Sequence, residues 1–403
     1  MASLSPLAPT APRTADVGAV PTAVLYVSHE VECGGAERSL LELMAALDRE
    51  HFAPALATSG EGPLTAAARR LAVPVHQVPL RPQRPGRWRR LSCLAPAVRA
   101  LGRIIERERI DVVHANTLWG GYAALAAARR LGAPCVWHVR DMTYPRLARW
   151  AVRHADAWIA NSQATAATIA ETGGTVIHNG VDRAFFDAGE RRAELRQELG
   201  LPADQLIVTM AGRLDPWKGH ALLLDAMALL RGPASARVTF VVAGEVTFTG
   251  GRSRLQDYVQ SLRERAESLG VASRVRWLGR CDDVPRLLAG SDVLVHPSVE
   301  PEPFGRSIAE AQAAGLAVVG ANHGGIPELI DDDVDGLLFR PRDPAALAAA
   351  LHRALEDAAL RQRLGKAARD RARRTLRSEM HARAVEGVYR RALAGAGRLR
   401  AQT

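Results

Sequence analysis

Lysine is nearly absent from this chain: only Lys218 and Lys366 stand among 53 basic residues, so arginine carries almost all of a formal net charge of +10. An arginine bias spread along a whole sequence is weak ground for a nucleic-acid partner, which calls for basic residues gathered on one face, and none is inferred. The bias makes a retained lysine informative, because a compact ammonium and a planar guanidinium are not interchangeable. Cysteine is scarce as well. Cys33, Cys93, Cys135 and Cys281 are scattered without Cys-x-x-Cys spacing, which argues against a zinc site or a disulfide framework and suits a reducing cytoplasm. No apolar run approaches the roughly 18 residues that span a bilayer; the best, around Leu222 to Leu230, is interrupted by Asp225. The first twenty residues carry Pro6, Pro9, Pro12 and Arg13 without a basic start and an apolar stretch, so 1–20 reads as a disordered leader and not as a signal peptide.

What is present is enough for two domains: 403 residues, 47% hydrophobic and 24% charged. Short apolar runs alternate with longer Ala- and Leu-rich stretches, the pattern of parallel strands covered by helices. A first series places strands at 22–28, 52–58, 111–115, 134–138, 157–160 and 175–178, with helices at 35–47, 62–71, 94–108, 122–131 and 163–171. A second places strands at 206–212, 237–243, 275–278, 293–297, 317–320 and 336–339, with helices at 220–230, 252–269, 283–288, 306–314 and 344–355. Between them Asn179-Gly-Val-Asp182 signals a turn before a charged stretch. The expected organisation is a first α/β domain over 21–183, a hinge over 184–203, a second α/β domain over 204–375, and a terminal helix over 376–403 that packs back toward the first domain. Two doubly wound domains of this kind bind ligands at the carboxyl ends of their strands.

The segment Ser298 to Gly315 carries the strongest chemical signal. It sets Glu302 and Glu310 eight positions apart across a Pro-Phe-Gly corner, with Gly305 freeing the backbone to turn and a helix expected from Arg306. A helix start offers unpaired N–H groups and partial positive charge to an anion, while carboxylates accept hydrogen bonds from hydroxyls. Diphosphate together with sugar hydroxyls describes a nucleotide sugar. Glu300 precedes Glu302 by two positions, and the Pro-Phe-Gly context selects Glu302. On another strand end, Arg213-Leu-Asp-Pro-Trp-Lys218-Gly219 holds two cations where a diphosphate would sit.

Other loops are weaker. Gly34-Gly35 follows the first strand and lets backbone approach a ligand, but no Gly-x-Gly-x-x-Gly is present there. Trp137-His138-Val-Arg-Asp141 puts His138 and Asp141 at a strand's carboxyl edge, where an imidazole could face a sugar. Asp331-Asp-Asp-Val-Asp335 reads as a solvated acidic loop and not as a metal site, so metal dependence is not expected; Arg213 and Lys218 would supply the countercharge. Arg81 to Arg90 concentrates five arginines around Trp88, which suits an anionic lipid surface as well as it suits a basic loop without a partner.

Gly34-Gly-Ala-Glu37, His138, Asn179-Gly-Val-Asp182, Gly212-Arg-Leu with Lys218-Gly219, Val242-Ala-Gly244, Glu302-Pro-Phe-Gly305 with Glu310, and Gly324-Gly-Ile-Pro-Glu328 stand in one order and spacing. From about Ala23 to about Arg390 the chain thereby resembles family 4 of the retaining glycosyltransferases. That resemblance implies the GT-B fold, two Rossmann-like domains facing a central cleft, and transfer of a sugar from a UDP- or GDP-sugar to a saccharide or lipid-linked acceptor with no cofactor. It further implies that Arg213 and Lys218 bind the donor diphosphate, Glu310 the nucleotide ribose, and Glu302 with the Phe304-Gly305 backbone the sugar and phosphates. His138 would contact the sugar near the reacting carbon, and the Gly34-Gly35 loop would border donor and acceptor. Bacterial polysaccharide, lipopolysaccharide or glycolipid synthesis at the inner face of the cell membrane is the implied setting. An epimerase or phosphorylase on the same fold, or a scaffold that has lost chemistry, are the alternatives; joint retention of His138, Arg213, Lys218, Glu302 and Glu310 argues against the last.

Overall fold

The computed structural model describes residues 20–80, 94–188, 192–202, 204–245 and 252–400. Most of the expected leader and the cluster from Arg81 to Arg90 lie outside the described residues.

Seven parallel strands build the first sheet: β1 Thr22–Val27, β2 Phe52–Thr58, β3 Val75–Gln77, β4 Val112–Ala115, β5 Cys135–Val139, β6 Ala157–Ala160 and β7 Thr175–Val176, in the order 3-2-1-4-5-6-7. Six build the second: β8 Leu206–Ala211, β9 Val238–Ala243, β10 Val275–Gly279, β11 Val293–His296, β12 Ala317–Ala321 and β13 Leu337–Phe339, in the order 10-9-8-11-12-13. Both sheets are doubly wound, and the strand order reverses between β1 and β4 in the first and between β8 and β11 in the second. Ligands bind such sheets in the crevice at those switch points, outside the strands' carboxyl ends.

Alternation along the strands explains the layers. Leu25 and Val27 of β1 join one core with the helices Leu94–Arg107 and Leu118–Leu131, while Val24 and Tyr26 join another beneath the helix Gly35–Ala46. That second layer is completed from the far end of the chain. The helix Ser378–Arg400 supplies Ala382, Val385, Val388, Tyr389 and Ala392, none more than 5% exposed, to the core of the first sheet. Val181 N donates to Leu376 O at 2.7 Å and Ser378 N to Val181 O at 3.2 Å, fixing where the chain crosses back.

Elements depart from the sequence reading in three places. The edge strand β3 is only three residues long and lacks an alternating pattern. The helix Pro145–His154 fills a stretch between the strands at 134–138 and 157–160 to which the sequence pattern assigns no element; Pro145 occupies its first turn, where the missing N–H costs nothing. The stretch expected as a hinge and the residue before it hold two short helices, Arg183–Asp187 and Arg192–Glu198, the first capped by Asp182, whose carboxylate accepts from Ala184 N at 2.7 Å.

Candidate active site

Lys218 and Glu302 meet where the second sheet reverses. Lys218 follows β8 and Glu302 follows β11, and Lys218 Nζ donates to Glu302 Oε2 at 2.6 Å. Each arrives on a pinned loop. Asp215 caps the Pro216–Lys218 turn, and Val299 N donates to Trp217 O at 2.8 Å, tying the two loops together. Gly219 ends that turn with φ +84, and a Cβ there would lie 1.9 Å from Pro297 O, so only glycine lets the loops approach this closely. Lys218 Nζ also lies 4.1 Å from the centroid of the Trp217 ring, a cation–π contact.

Glu302 is 9% exposed and collects further donors. Ser298 Oγ donates to Glu302 Oε2 at 3.2 Å, and His296 Nε2 lies 3.1 Å from the same oxygen. Burial alone would raise the carboxyl's pKa, but the Lys218 ammonium and the His296 contact outweigh it and hold Glu302 well below the usual carboxylate range. Its backbone is held too: Gly325 N donates to Glu302 O at 2.7 Å. Glu300 points elsewhere, pairing with Arg342 on the surface. Of the two glutamates, Glu302 is therefore the buried one and Glu300 the exposed one.

After Phe304, 3% exposed, Gly305 turns with φ +100 and begins the helix Arg306–Ala314. Glu310 sits one turn into that helix at 6% exposure, and burial raises its pKa. Arg306 Nη2 donates to Glu310 Oε1 at 2.7 Å, and the same guanidinium forks onto Glu42 of the first domain at 2.8 and 2.7 Å. Burial works against the Arg306 charge, but Glu42 and Glu310 outweigh it and move its pKa up. A Cβ on Gly35 would lie 3.4 Å from Arg306 Cδ, so the Gly34-Gly35 turn after β1 borders the start of this helix.

The two domains meet again nearby. Gln163 N and Ala164 N, at the start of the helix Gln163–Ile169, both donate to the Glu328 carboxylate at 2.8 Å, and His178 Nε2 lies 2.9 Å from it. Thr165 Oγ1 donates to Pro303 O at 3.2 Å. The carboxyl-edge loops of one sheet thus face those of the other across a shared cleft.

Arg213 and His138 stand apart from the Lys218–Glu302 pair. Arg213 is exposed and has no partner among the described residues, so its guanidinium is not part of the Lys218–Glu302 pair. His138 is 1% exposed, with Nδ1 3.3 Å from His114 Nε2, and burial drives its pKa well below the ordinary value. Strand alternation puts Val136, His138 and Arg140 on the face covered by the terminal helix, whose His381 ring lies 6.3 Å from that of His138. His114 Nδ1 in turn lies 2.8 Å from Tyr389 Oη. The imidazole of His138 therefore belongs to a buried chain of rings through Nδ1, while its Nε2 is buried with no partner among the described residues. Arg140, at the tip of the same strand, was missed; a strand's last inward position beside a loop was the available signal. Asp141 is exposed and caps a turn, accepting from Thr143 N at 3.0 Å.

The acidic loop is less solvated than expected. Asp335 is 4% exposed and bound by Arg371 at 2.8 Å, and Asp333 pairs with Arg353 at 2.9 Å. Among the described residues one group of potential metal ligands occurs, Asp48, Glu50 and His51, exposed on the turn before β2 and at the opposite edge of the sheet from the cleft.

Two doubly wound parallel sheets joined across a cleft, with charged loops at both switch points, define a glycosyltransferase of the GT-B class. The chain belongs to the group 1 glycosyl transferases: residues 33–185 match Glycosyltransferase Family 4 and 191–371 match Glycosyl transferases group 1. The D-inositol 3-phosphate glycosyltransferase of Streptomyces bingchenggensis is 32% identical over 315 residues, covering 72% of this chain and 68% of that protein. Its namesake from Salinispora arenicola is 34% identical over 292 residues, covering 64% of each, so the chain spans about two thirds or less of these relatives' lengths. The crystal structure of Anabaena HepE in complex with UDP and glucose superposes with a TM-score of 0.78 at 28% identity, over 91% of this chain and 98% of that one. The sucrose-phosphate synthase of Thermosynechococcus elongatus shares the fold at TM-score 0.78 and 21% identity, over 93% of this chain and 100% of that one.

Proposed function

We propose that the protein transfers a sugar from a nucleotide diphosphate sugar to an acceptor hydroxyl with retention at the anomeric carbon. The observation that carries this reading is the Lys218–Glu302 pair at 2.6 Å beside the start of the helix Arg306–Ala314. Lys218, the N–H groups that follow Gly305, and Arg213 once the mobile countercharge of a ligand draws it in, would neutralise the leaving diphosphate as charge builds on it. Glu302 would accept from the sugar hydroxyls and the Phe304-Gly305 backbone would hold sugar and phosphates. The free oxygen of Glu310 would take the ribose diol while Arg306 holds the other. The Gly34-Gly35 turn would border donor and acceptor. With no enzymic nucleophile in the pattern, same-face attack in which the departing phosphate takes the acceptor's proton fits best, and the enzyme contributes positioning and electrostatics without a metal or cofactor.

UDP is the favoured nucleotide, supported by the UDP-glucose complex of HepE. The acceptor is a saccharide or lipid-linked hydroxyl in bacterial polysaccharide, lipopolysaccharide or glycolipid synthesis, at the inner face of the membrane; no helix among the described residues is long and apolar enough to cross it. The names of the curated relatives add a phosphorylated polyol to the acceptors worth trying. A thermal-shift panel of UDP, GDP and ADP, followed by UDP-sugar turnover, tests the reading: stabilisation by UDP is expected, and no stabilisation by any nucleoside diphosphate would sink it.

A further inference from the structure

Arg140 stands at the carboxyl end of β5, on the first-domain side of the cleft, with no carboxylate in ion-pair contact among the described residues. Nε donates to Asn116 Oδ1 at 2.7 Å, and Nη1 donates to Ser39 Oγ at 2.9 Å and to Asn179 Oδ1 at 2.8 Å. All three acceptors are neutral. Arg140 has no ion pair among the described residues, whereas Arg306 opposite it holds two carboxylates. The fork is also incomplete, because Arg140 Nη2 is buried with no partner among the described residues, and so is Asn116 Nδ2 on the neighbouring strand end. Glu37, the carboxylate that most favours the Arg140 charge, is itself pushed up by burial and makes no ion pair with it. Burial lowers Arg140 only to about 10, so it stays cationic at neutral pH.

A half-buried arginine whose hydrogen-bond acceptors are all neutral, with a buried Nη2 left unspent and an unspent amide donor on the Asn116 side chain that it already holds, gains more from an oxyanion than from a neutral partner. The donor's diphosphate already has Lys218 and a helix start on the second domain, while Arg140 and Asn116 approach from the first domain. We propose that Arg140 Nη2 and Asn116 Nδ2 form an oxyanion site on the first-domain side of the cleft, one that holds a phosphate or carboxylate borne by the acceptor. The site rests on the glycosyl-transfer reading and narrows it to acidic acceptors. The guanidinium fixed at three points presents its remaining edge in one direction, so the anion also sets which acceptor hydroxyl meets the donor.

The test uses the full chain saturated with UDP, to which inorganic phosphate or acetate is added against chloride at matched ionic strength, read by thermal shift and by competition with sugar transfer. Phosphate or acetate is expected to stabilise the wild type beyond chloride, and whichever acts more strongly names the anion. Arg140→Gln should weaken that effect on the order of ten- to a hundredfold while leaving the response to UDP intact. Arg140→Lys, which keeps charge but loses the fork, should retain only part of it and carries the comparison if the glutamine variant does not fold. Equal stabilisation by phosphate, acetate and chloride in the wild type, or an anion effect unchanged in both variants, overturns the site. A loss of UDP affinity in Arg140→Gln matching the loss of anion affinity assigns Arg140 to the donor diphosphate and overturns it too. Absence of any response to UDP is a different result, which removes the transferase reading itself.

Discussion

Arg306 of the second domain grips Glu42 of the first through two parallel hydrogen bonds of 2.8 and 2.7 Å. Neither residue stands in the motifs that mark the donor site, yet the bridge ends one bond away from Glu310. One side chain therefore ties a contact between the domains to the placement of Glu310.

Arg306→Met leaves two buried carboxylates without their cation. Breaking a buried pair from one side costs about 3–5 kcal/mol, and urea unfolding of the variant should show a loss of that order. Adding Glu42→Gln should recover part of it, because the orphaned charge is removed. The KM for the nucleotide sugar should rise roughly tenfold, with a smaller change in kcat. A single variant within about 1 kcal/mol of wild type would show that the bridge is incidental.

Lys218→Ala should lower turnover by roughly 10²–10³ while circular dichroism shows a retained fold. Relieved of the ammonium, Glu302 keeps its burial and its His296 contact but loses its strongest stabilising neighbour, so its pKa rises. Near wild-type turnover on a UDP-sugar that the protein accepts would remove Lys218 from the diphosphate.

Gly219 and Gly173 separate backbone strain from crowding. Both have positive φ, +84 and +83, but a Cβ at 219 would lie 1.9 Å from Pro297 O, and at 173 nothing lies within 4 Å. Gly173→Ala should cost about 1 kcal/mol, the strain of the left-handed conformation. Gly219→Ala adds a clash between two site loops and should lower the melting temperature several times as far, with activity lost in step. Equal melting temperatures for the two variants would contradict the close approach of the loops.

The buried histidines predict acid sensitivity. His114, His138 and His381 are at most 4% exposed, and burial holds all three pKa values down, that of His381 to about 3. Unfolding frees each to bind a proton near pH 6.5, so acid favours the unfolded chain; stability is full above that value and declines as pH falls toward the folded pKa. Each histidine contributes roughly 1.4 kcal/mol per pH unit below it. Urea midpoints should therefore drop steeply between pH 6.5 and 5, and a flat profile over that range would mean that the rings are protonated in the fold.

The sequence made the alternation of strands and helices legible because each buried parallel strand is a short apolar run and each covering helix a longer one. The helix Arg306–Ala314 was readable to the residue, since Gly305 and Gly315 bound it. Within the site, Lys218 with Glu302 stood out through lysine scarcity and the Pro-Phe-Gly corner. What stayed hidden depends on contacts between distant segments. Glu42 looks like any charged position of a surface helix, Glu328 gives no hint that it caps a helix 164 residues earlier, and the groups that surround His138 and Arg140, among them Ser39, Asn179 and His381, come from segments far away in sequence.

The helix Ser378–Arg400 has a consequence for how the protein is made. Val385 and Val388 are fully buried or nearly so, and Tyr389 Oη donates to Tyr26 Oη at 3.1 Å inside the first sheet. Each such valine contributes roughly 1.5–3 kcal/mol by its burial. A nascent chain leaving the ribosome thus carries a first sheet whose core is not finished until the helix Ser378–Arg400 has been translated. The second domain, complete well before that, is the half able to settle first.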